Sequence, residues 1–237
     1  MDLARNFLAE KSRACSYCEL RSKGFCSHFS DSHKALLAEV SRLVTLESHK
    51  TLFRQGEETD SVYVVRTGML RLYQRMLDGR RQVIGFAKAG DLLLFPLSER
   101  NDYSADALDS VYLCQFRRQD FHGLLQREPE VLSALAVVTH EELTRARSQI
   151  ALLSQRKAEP KMAQFLLTLF ESCARPDSNP ANVPVRVPQA DIADYLGMTV
   201  ETVNRTMARL VREAIISVAK QGFDLLDTKR LRDIAES

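Results

Sequence analysis

The sequence predicts an α+β protein with an N-terminal β-roll, a long dimerisation helix and a C-terminal winged helix-turn-helix. Three observations carry this. Apolar residues alternate with period two between Lys50 and Arg117, and glycines punctuate the run. A stripe at alternating steps of four and three then runs along a long helical stretch. Two short amphipathic helices around Gly197, followed by a hairpin pattern, close the chain. The implied segments are 1–30 (cysteine-rich), 31–127 (β-roll), 128–156 (dimerisation helix) and 157–237 (winged helix).

Composition narrows the class. The 237 residues suffice for two domains with a core in each. No apolar run approaches the roughly 20 residues of a membrane span, and the N-terminus lacks a signal-peptide h-region, so a cytosolic protein without a membrane partner is expected. From Arg186 onward eight basic residues face eight acidic ones, so a nucleic-acid role has to rest on charge placement and not on the net charge of +2. Five cysteines in such a compartment argue against a disulfide framework.

The first thirty residues hold Cys15, Cys18 and Cys26 in a C-x2-C-x7-C pattern, within a polar segment of little periodicity that reads as a loop. Thiolates grouped this way are ligands for iron–sulfur clusters or zinc. Two closures compete: His28 would complete a Cys3His zinc site, or a distant cysteine, with Cys114 the candidate, would complete an iron–sulfur set. Cys114 lies in the strand pattern VYLCQF, where burial as a small hydrophobe is the alternative role.

A helix is predicted over His33–Leu46, with Leu36, Leu37, Val40, Leu43 and Val44 on its apolar side. Gly56, Gly68, Gly79 and Gly90 then mark the turns of short, evenly spaced strands, the pattern of a small barrel or double-sheet roll. From about Arg118 to Ala174 the chain reads as helix, interrupted near Pro129 and Pro160. In it Leu132, Ala136, Thr139, Leu143, Ala146, Ile150 and Leu153 form the seam of a two-stranded coiled coil, flanked by Glu141, Glu142, Arg145 and Arg147. The stretch from Pro176 to Pro188 is too polar and proline-broken to be structured throughout, and Cys173 before it has a structural role.

In Gln189–Glu213, Ile192, Tyr195 and Leu196 make one apolar face and Gly197 the turn. Thr199 caps a second helix whose inward face is Val203, Met207 and Leu210. Glu201, Asn204 and Arg205 share its outer face, and Arg209 and Arg212 continue the basic side. Such a helix fits the major groove, where Arg binds guanine and Glu accepts from cytosine. Ile215–Val218, a Lys220-Gln221-Gly222 turn and Phe223–Leu226 supply the wing, and a short helix around Lys229–Ala235 ends the chain. Double-stranded DNA is the expected partner, contacted by Thr199, Glu201, Asn204, Arg205 and Arg209. No Walker, G-x-S-x-G, H-E-x-x-H or paired-carboxylate motif argues for catalysis.

This order of parts resembles the CRP/FNR family of bacterial transcription regulators over almost the whole chain. DIADYLGMTVETVNR is very similar to the recognition motif of the FNR branch. TLFRQGEETDSVYVVRTGMLRLY is similar to the start of that family's cyclic-nucleotide-binding-like β-roll, and the cysteine spacing resembles the FnrN/FnrL type. The resemblance implies an oxygen-labile [4Fe-4S] cluster on Cys15, Cys18, Cys26 and Cys114, controlling a homodimer on a palindromic operator. It also implies an RNA polymerase contact at Asp78–Arg81. Cyclic nucleotide is not expected, because no Arg-Ser pair follows Gly90-Asp91-Leu92-Leu93-Leu94-Phe95-Pro96 to neutralise a cyclic phosphate.

Two positions depart from the pattern. Asn204 stands where the branch has serine, so contacts at the outer base pairs are expected to change. Ala146 stands where enteric FNR has an aspartate inside the seam, so dimerisation is expected to depend less on the cluster. The rival readings are a redox carrier, which leaves the winged helix without a role, and a zinc-stabilised or clusterless regulator sensing another signal through the β-roll.

Overall fold

Alternation of side chains along β-strands sorts the first part of the chain onto two faces, and this decides where Cys114 lies. The computed structural model describes residues 15, 18–58, 60–93, 99–173, 181–183, 187–219 and 222–237. Two compact units are present, Met1–Leu72 with Phe86–Leu143, and Tyr73–Gly85 with Thr144–Ser237.

The first unit begins with two 3-10 turns, Glu19–Ser22 and Gly24–His28, and a helix α1 over Asp31–Val40 that Ser30 caps. Strands follow at Ser41–Leu46 (β1), Thr51–Phe53 (β2), Ser61–Thr67 (β3), Leu70–Arg75 (β4), Arg81–Ala87 (β5), Leu92–Leu93 (β6), Ser104–Ala107 (β7) and Val111–Arg117 (β8); of these, the end of β4 and most of β5, within Tyr73–Gly85, group with the second unit. They form two four-stranded sheets, ordered β1-β8-β3-β6 and β2-β7-β4-β5. Gly56, Gly68, Gly79 and Gly90 all have positive φ, between 81 and 97°, as their turn positions require. Val65 and Leu113 point into the cluster between the sheets, with Phe53, Leu70 and Ala105. Their neighbours Val64 and Cys114 point the other way, onto a cluster that holds Leu20, Phe25, Phe29 and Leu37.

Two expectations are corrected in this unit. The helix predicted to reach Leu46 stops at Val40, and Leu43 and Val44 belong to β1, which pairs with all of Val111–Phe116 in β8. Six ladder pairs outweigh the weak helical signal of SRLVTL, whose Leu43 is exposed. The cysteine segment is not a bare loop either: Leu20, Phe25 and Phe29 are buried, and Phe25 meets Phe29 edge-on at 4.9 Å.

Helices α2 (Arg118–Arg127), α3 (Pro129–Ser154) and α4 (Ala158–Cys173) fill the predicted helical stretch. The second break falls at Gln155–Lys157, and Pro160 sits in the first turn of α4, where its missing N–H costs nothing. The inward face of α3 is Val131, Ala134, Leu135 and Val138, which join the cluster that also holds the cysteine segment.

In the second unit α4 packs on a winged helix-turn-helix made of α5 (Gln189–Leu196), α6 (Val200–Arg212), β10 (Ile216–Ala219), β11 (Gly222–Leu225) and α7 (Thr228–Ala235). Within the stretch expected not to be structured throughout, Ala181–Val183 forms a third strand, β9, paired to β11, and the Asn182 amide donates to Asp224. The rest of that stretch, 174–180 and 184–186, lies outside the described residues, as do Lys220-Gln221 of the wing turn, Leu94-Phe95-Pro96 and the Cys173 side chain.

Candidate nucleic-acid interface and four-cysteine site

The recognition helix begins where the backbone is forced to turn. Gly197 takes the left-handed conformation (φ 61°, ψ 43°) and closes α5, with Met198 N–H donating to Ala193 O. Two residues later the Thr199 hydroxyl accepts from Thr202 N–H and caps α6. Val203, Thr206, Met207 and Leu210 are buried, which turns Glu201, Asn204 and Arg205 outward together. Arg205 and Glu201 stay largely exposed, 4.0 Å apart at i,i+4, close enough to steady each other's rotamers without fixing them.

Arg209 lies differently. Its guanidinium pairs with Glu213 at 2.8 Å and with Glu159 on α4, and Glu213 also receives Arg230 at 2.7 Å. The Glu213 hydrogen bond is the main reason the Arg209 pKa is raised, and the same bond depresses that of Glu213. Arg209 thus ties the recognition helix to α4 and, through Glu213, to Arg230 of α7, and is less free to reach DNA than Arg205.

Lys161, which sequence reasoning did not single out, is buried and donates from Nζ to Leu153 O at 3.0 Å and Leu196 O at 3.5 Å. It serves the carbonyl ends of α3 and α5 together, where a cation opposes the helix dipoles. A lysine early in an amphipathic helix gives no sequence signal for this. Asp191 and Asp194 of α5 were equally missed; both hold residues of β5, Arg81 and Val83 respectively.

The cysteines come together from two ends of the first unit. Cys114 of β8 pairs across the ladder with Leu43 and Val64, and its side chain lies on the cluster face with Cys18 and Cys26. The segment is pinned nearby: Phe25 N–H donates to Gly90 O at 2.9 Å. Gly24 (φ 55°) packs so closely there that a Cβ would stand 2.3 Å from the same oxygen.

Burial pushes the Cys26 thiol up to about 12, with Cys114, Cys18 and Cys15 near enough to add to the shift. Cys114 rises to about 11, again through burial first, then Cys15 and Cys18. Cys15 is raised by burial and Cys18, opposed by Arg66 and Arg21. The four thiols therefore share one neighbourhood in which thiolates need a cation. Among the described residues no three His, Cys, Asp or Glu side chains close to metal-holding spacing, so they are neighbours and not a finished cage. His28 faces elsewhere, with Nε2 3.9 Å from Glu141.

A two-sheet roll followed by a helix-turn-helix and wing defines a DNA-binding regulator with a separate N-terminal domain. Residues 43–128 match the cyclic nucleotide-binding domain family and residues 160–234 the Crp-like helix-turn-helix domain family. The chain is 37% identical over 221 residues to the nitrogen fixation regulation protein FixK of Bradyrhizobium diazoefficiens, covering 93% of both chains. To the transcriptional activator protein FnrL of Cereibacter sphaeroides it is 30% identical over 226 residues, covering 93% of this chain and 91% of that one. The solved structure of FixK2 from Bradyrhizobium japonicum superposes with a TM-score of 0.74 at 26% identity, over 82% of this chain and 97% of that one. The chain belongs to the CRP/FNR family: it is a DNA-binding transcription regulator and not an enzyme.

Proposed function

We propose that this regulator responds to oxygen through a [4Fe-4S] cluster held by Cys15, Cys18, Cys26 and Cys114. As a cytoplasmic homodimer it binds FNR-box-like palindromes and controls genes for life at low oxygen. The observation that carries the reading is the shared neighbourhood of the four thiols: Cys18, Cys26 and Cys114 lie half-buried on one cluster face, and Cys15 stands near enough to raise Cys26 and Cys114. Four soft thiolate donors match an iron–sulfur cluster, whose cationic core would offset the burial and mutual repulsion that keep the Cys26 and Cys114 thiols protonated. When bound, such a cluster supplies sensitivity to oxidation. The chain's own residues hold the segment in place through Leu20, Phe25 and Phe29, while Arg66 and Arg21 offset the charge of the sulfurs. His28 turns toward Glu141, which weighs against a Cys3His zinc site.

The homodimer rests on α3, where all seven seam residues from Leu132 to Leu153 are exposed in the single chain. A partner helix would cover them and set two recognition helices on successive major grooves. For RNA polymerase, Arg81 is engaged by Asp191, which leaves Met76–Arg80 as the free tip of the β4–β5 turn. Cyclic nucleotide has no part in the reading, because the sequence after Gly90 offers no Arg-Ser pair for its phosphate.

The test is iron, acid-labile sulfide and zinc per chain on protein purified without oxygen, with a visible spectrum before and after air. About four irons and four sulfides per chain, bleaching in air and absent from Cys114→Ser, are expected. One zinc, no sulfide and no response to air would overturn the cluster and leave the DNA-binding function standing.

A further inference from the structure

We infer that Arg81, Gln82 and Val83 of β5 are positioning residues for DNA recognition: they clamp the first helix of the helix-turn-helix at both ends and so fix where the recognition helix starts. The residues belong to one compact unit, since Tyr73–Gly85 groups with Thr144–Ser237.

The clamp consists of three consecutive residues acting on an eight-residue helix. Arg81 Nη2 lies 2.6 Å from Asp191 Oδ1 in the first turn of α5, and the Asp191 side chain is only 1% exposed. Gln82 Nε2 donates to the Asp194 carbonyl oxygen at 2.8 Å, and Val83 N–H donates to Asp194 Oδ2 at 2.8 Å, both in the last turn. The Arg81 guanidinium also stands 5.7 Å from the centre of the Tyr73 ring, which holds its stem against β4.

A carboxylate buried as deeply as Asp191 is costly without a cation beside it, so removing Arg81 makes the seat of α5 unfavourable and does not merely loosen it. At the other end Gln82 donates to the Asp194 carbonyl, which among the described residues otherwise receives only the long 3.3 Å bond from Gly197 N–H at the end of the helix. The consequence passes along the chain in few steps. Asp194 is three residues before Gly197, and Gly197 leads to the Thr199 cap of α6. With so short and rigid a connection, a shift of α5 moves the first turn of α6, where Glu201 and Arg205 stand. None of the clamp residues has to touch DNA for this.

The experiment uses the full chain prepared without oxygen and the duplex it selects from a random pool. Fluorescence anisotropy across a salt series is measured for wild type, Arg81→Ala, Gln82→Ala and the double variant Arg81→Ala with Asp191→Asn, with amide exchange followed over residues 189–205. Arg81→Ala is expected to lose about tenfold or more in affinity, since the half-buried guanidinium is taken from a carboxylate that is only 1% exposed. Its α5 amides should exchange faster, and the slope of affinity against salt should stay as in wild type. Gln82→Ala, which removes no charge, should lose affinity in the same direction. The double variant should recover part of the loss, because the buried negative charge is removed together with its cation. A salt slope lower by about one with α5 exchange unchanged would mean that Arg81 binds a phosphate, and would overturn the proposal. Wild-type affinity in Gln82→Ala together with unchanged exchange over α5 would overturn it equally, even if Arg81→Ala fails to fold.

Discussion

Arg205 and Arg209 lie one turn apart on α6 and serve different ends. Arg205 projects outward beside Glu201, while Arg209 is held by Glu213 and Glu159. Replacing Arg205 by alanine should cost about 1–3 kcal/mol of discrimination at its base pair. The mutant should bind selected and scrambled duplexes almost alike, and an unchanged preference would refute the role. The outward set of Glu201, Asn204 and Arg205 was legible because Val203, Met207 and Leu210 fix the inward face by spacing alone. The pairing of Arg209 with Glu159 was not, since 50 residues separate them and both read as ordinary surface charges.

Among elements, α3 carries two apolar faces. One, with Val131, Ala134, Leu135 and Val138, is buried in its own unit; the other, with Leu143, Ile150 and Leu153, is exposed. The steps of four and three made the second face readable in the sequence, whereas the first shows only where the roll and the cysteine segment meet it. Ile150, 69% exposed, sits well inside the seam. In a parallel dimer Ile150→Glu would set two carboxylates against each other in an apolar seam, so dimerisation should weaken at least about tenfold. Sedimentation at micromolar concentration should then show monomers; a dimer as tight as wild type would exclude the seam. Short strands were the hardest elements to read. β1 and β9 are strands because β8 and β11 offer them ladders, and a ladder partner distant in sequence leaves no local mark.

For the molecule as a whole, the order of roll, long helix and winged helix was legible from changes in period and from the glycine punctuation. The four-cysteine site was legible only in part. The spacing of Cys15, Cys18 and Cys26 signals ligands and leaves His28 and Cys114 as rival closures; the family resemblance favoured Cys114. Its physical basis is that alternation in β8 sends Leu113 into the roll and Cys114 out of it. Leu20, Phe25 and Phe29 were missed because they occur singly in a polar stretch. Phe25 is 1% exposed, so Phe25→Ala should cost about 3–5 kcal/mol. Since it also unseats the segment, the proposed cluster should be lost in part, with iron per chain falling although none of the four cysteines is changed. A melting midpoint and iron content equal to wild type would contradict this.

The close approach of Gly24 to Gly90 acts as a ruler for the cysteine spacing. It splits the seven residues between Cys18 and Cys26 into a part before the pinned point and a single residue, Phe25, after it. Added or deleted residues before Gly24 would disturb the turn at Glu19–Ser22 and its buried Leu20 but leave the Gly24 pin, and with it Cys26, in place. The same change after Gly24 would swing Phe25 out of the core and Cys26 off the face of Cys114. Variation in the length of this motif therefore has room on one side of Gly24 only.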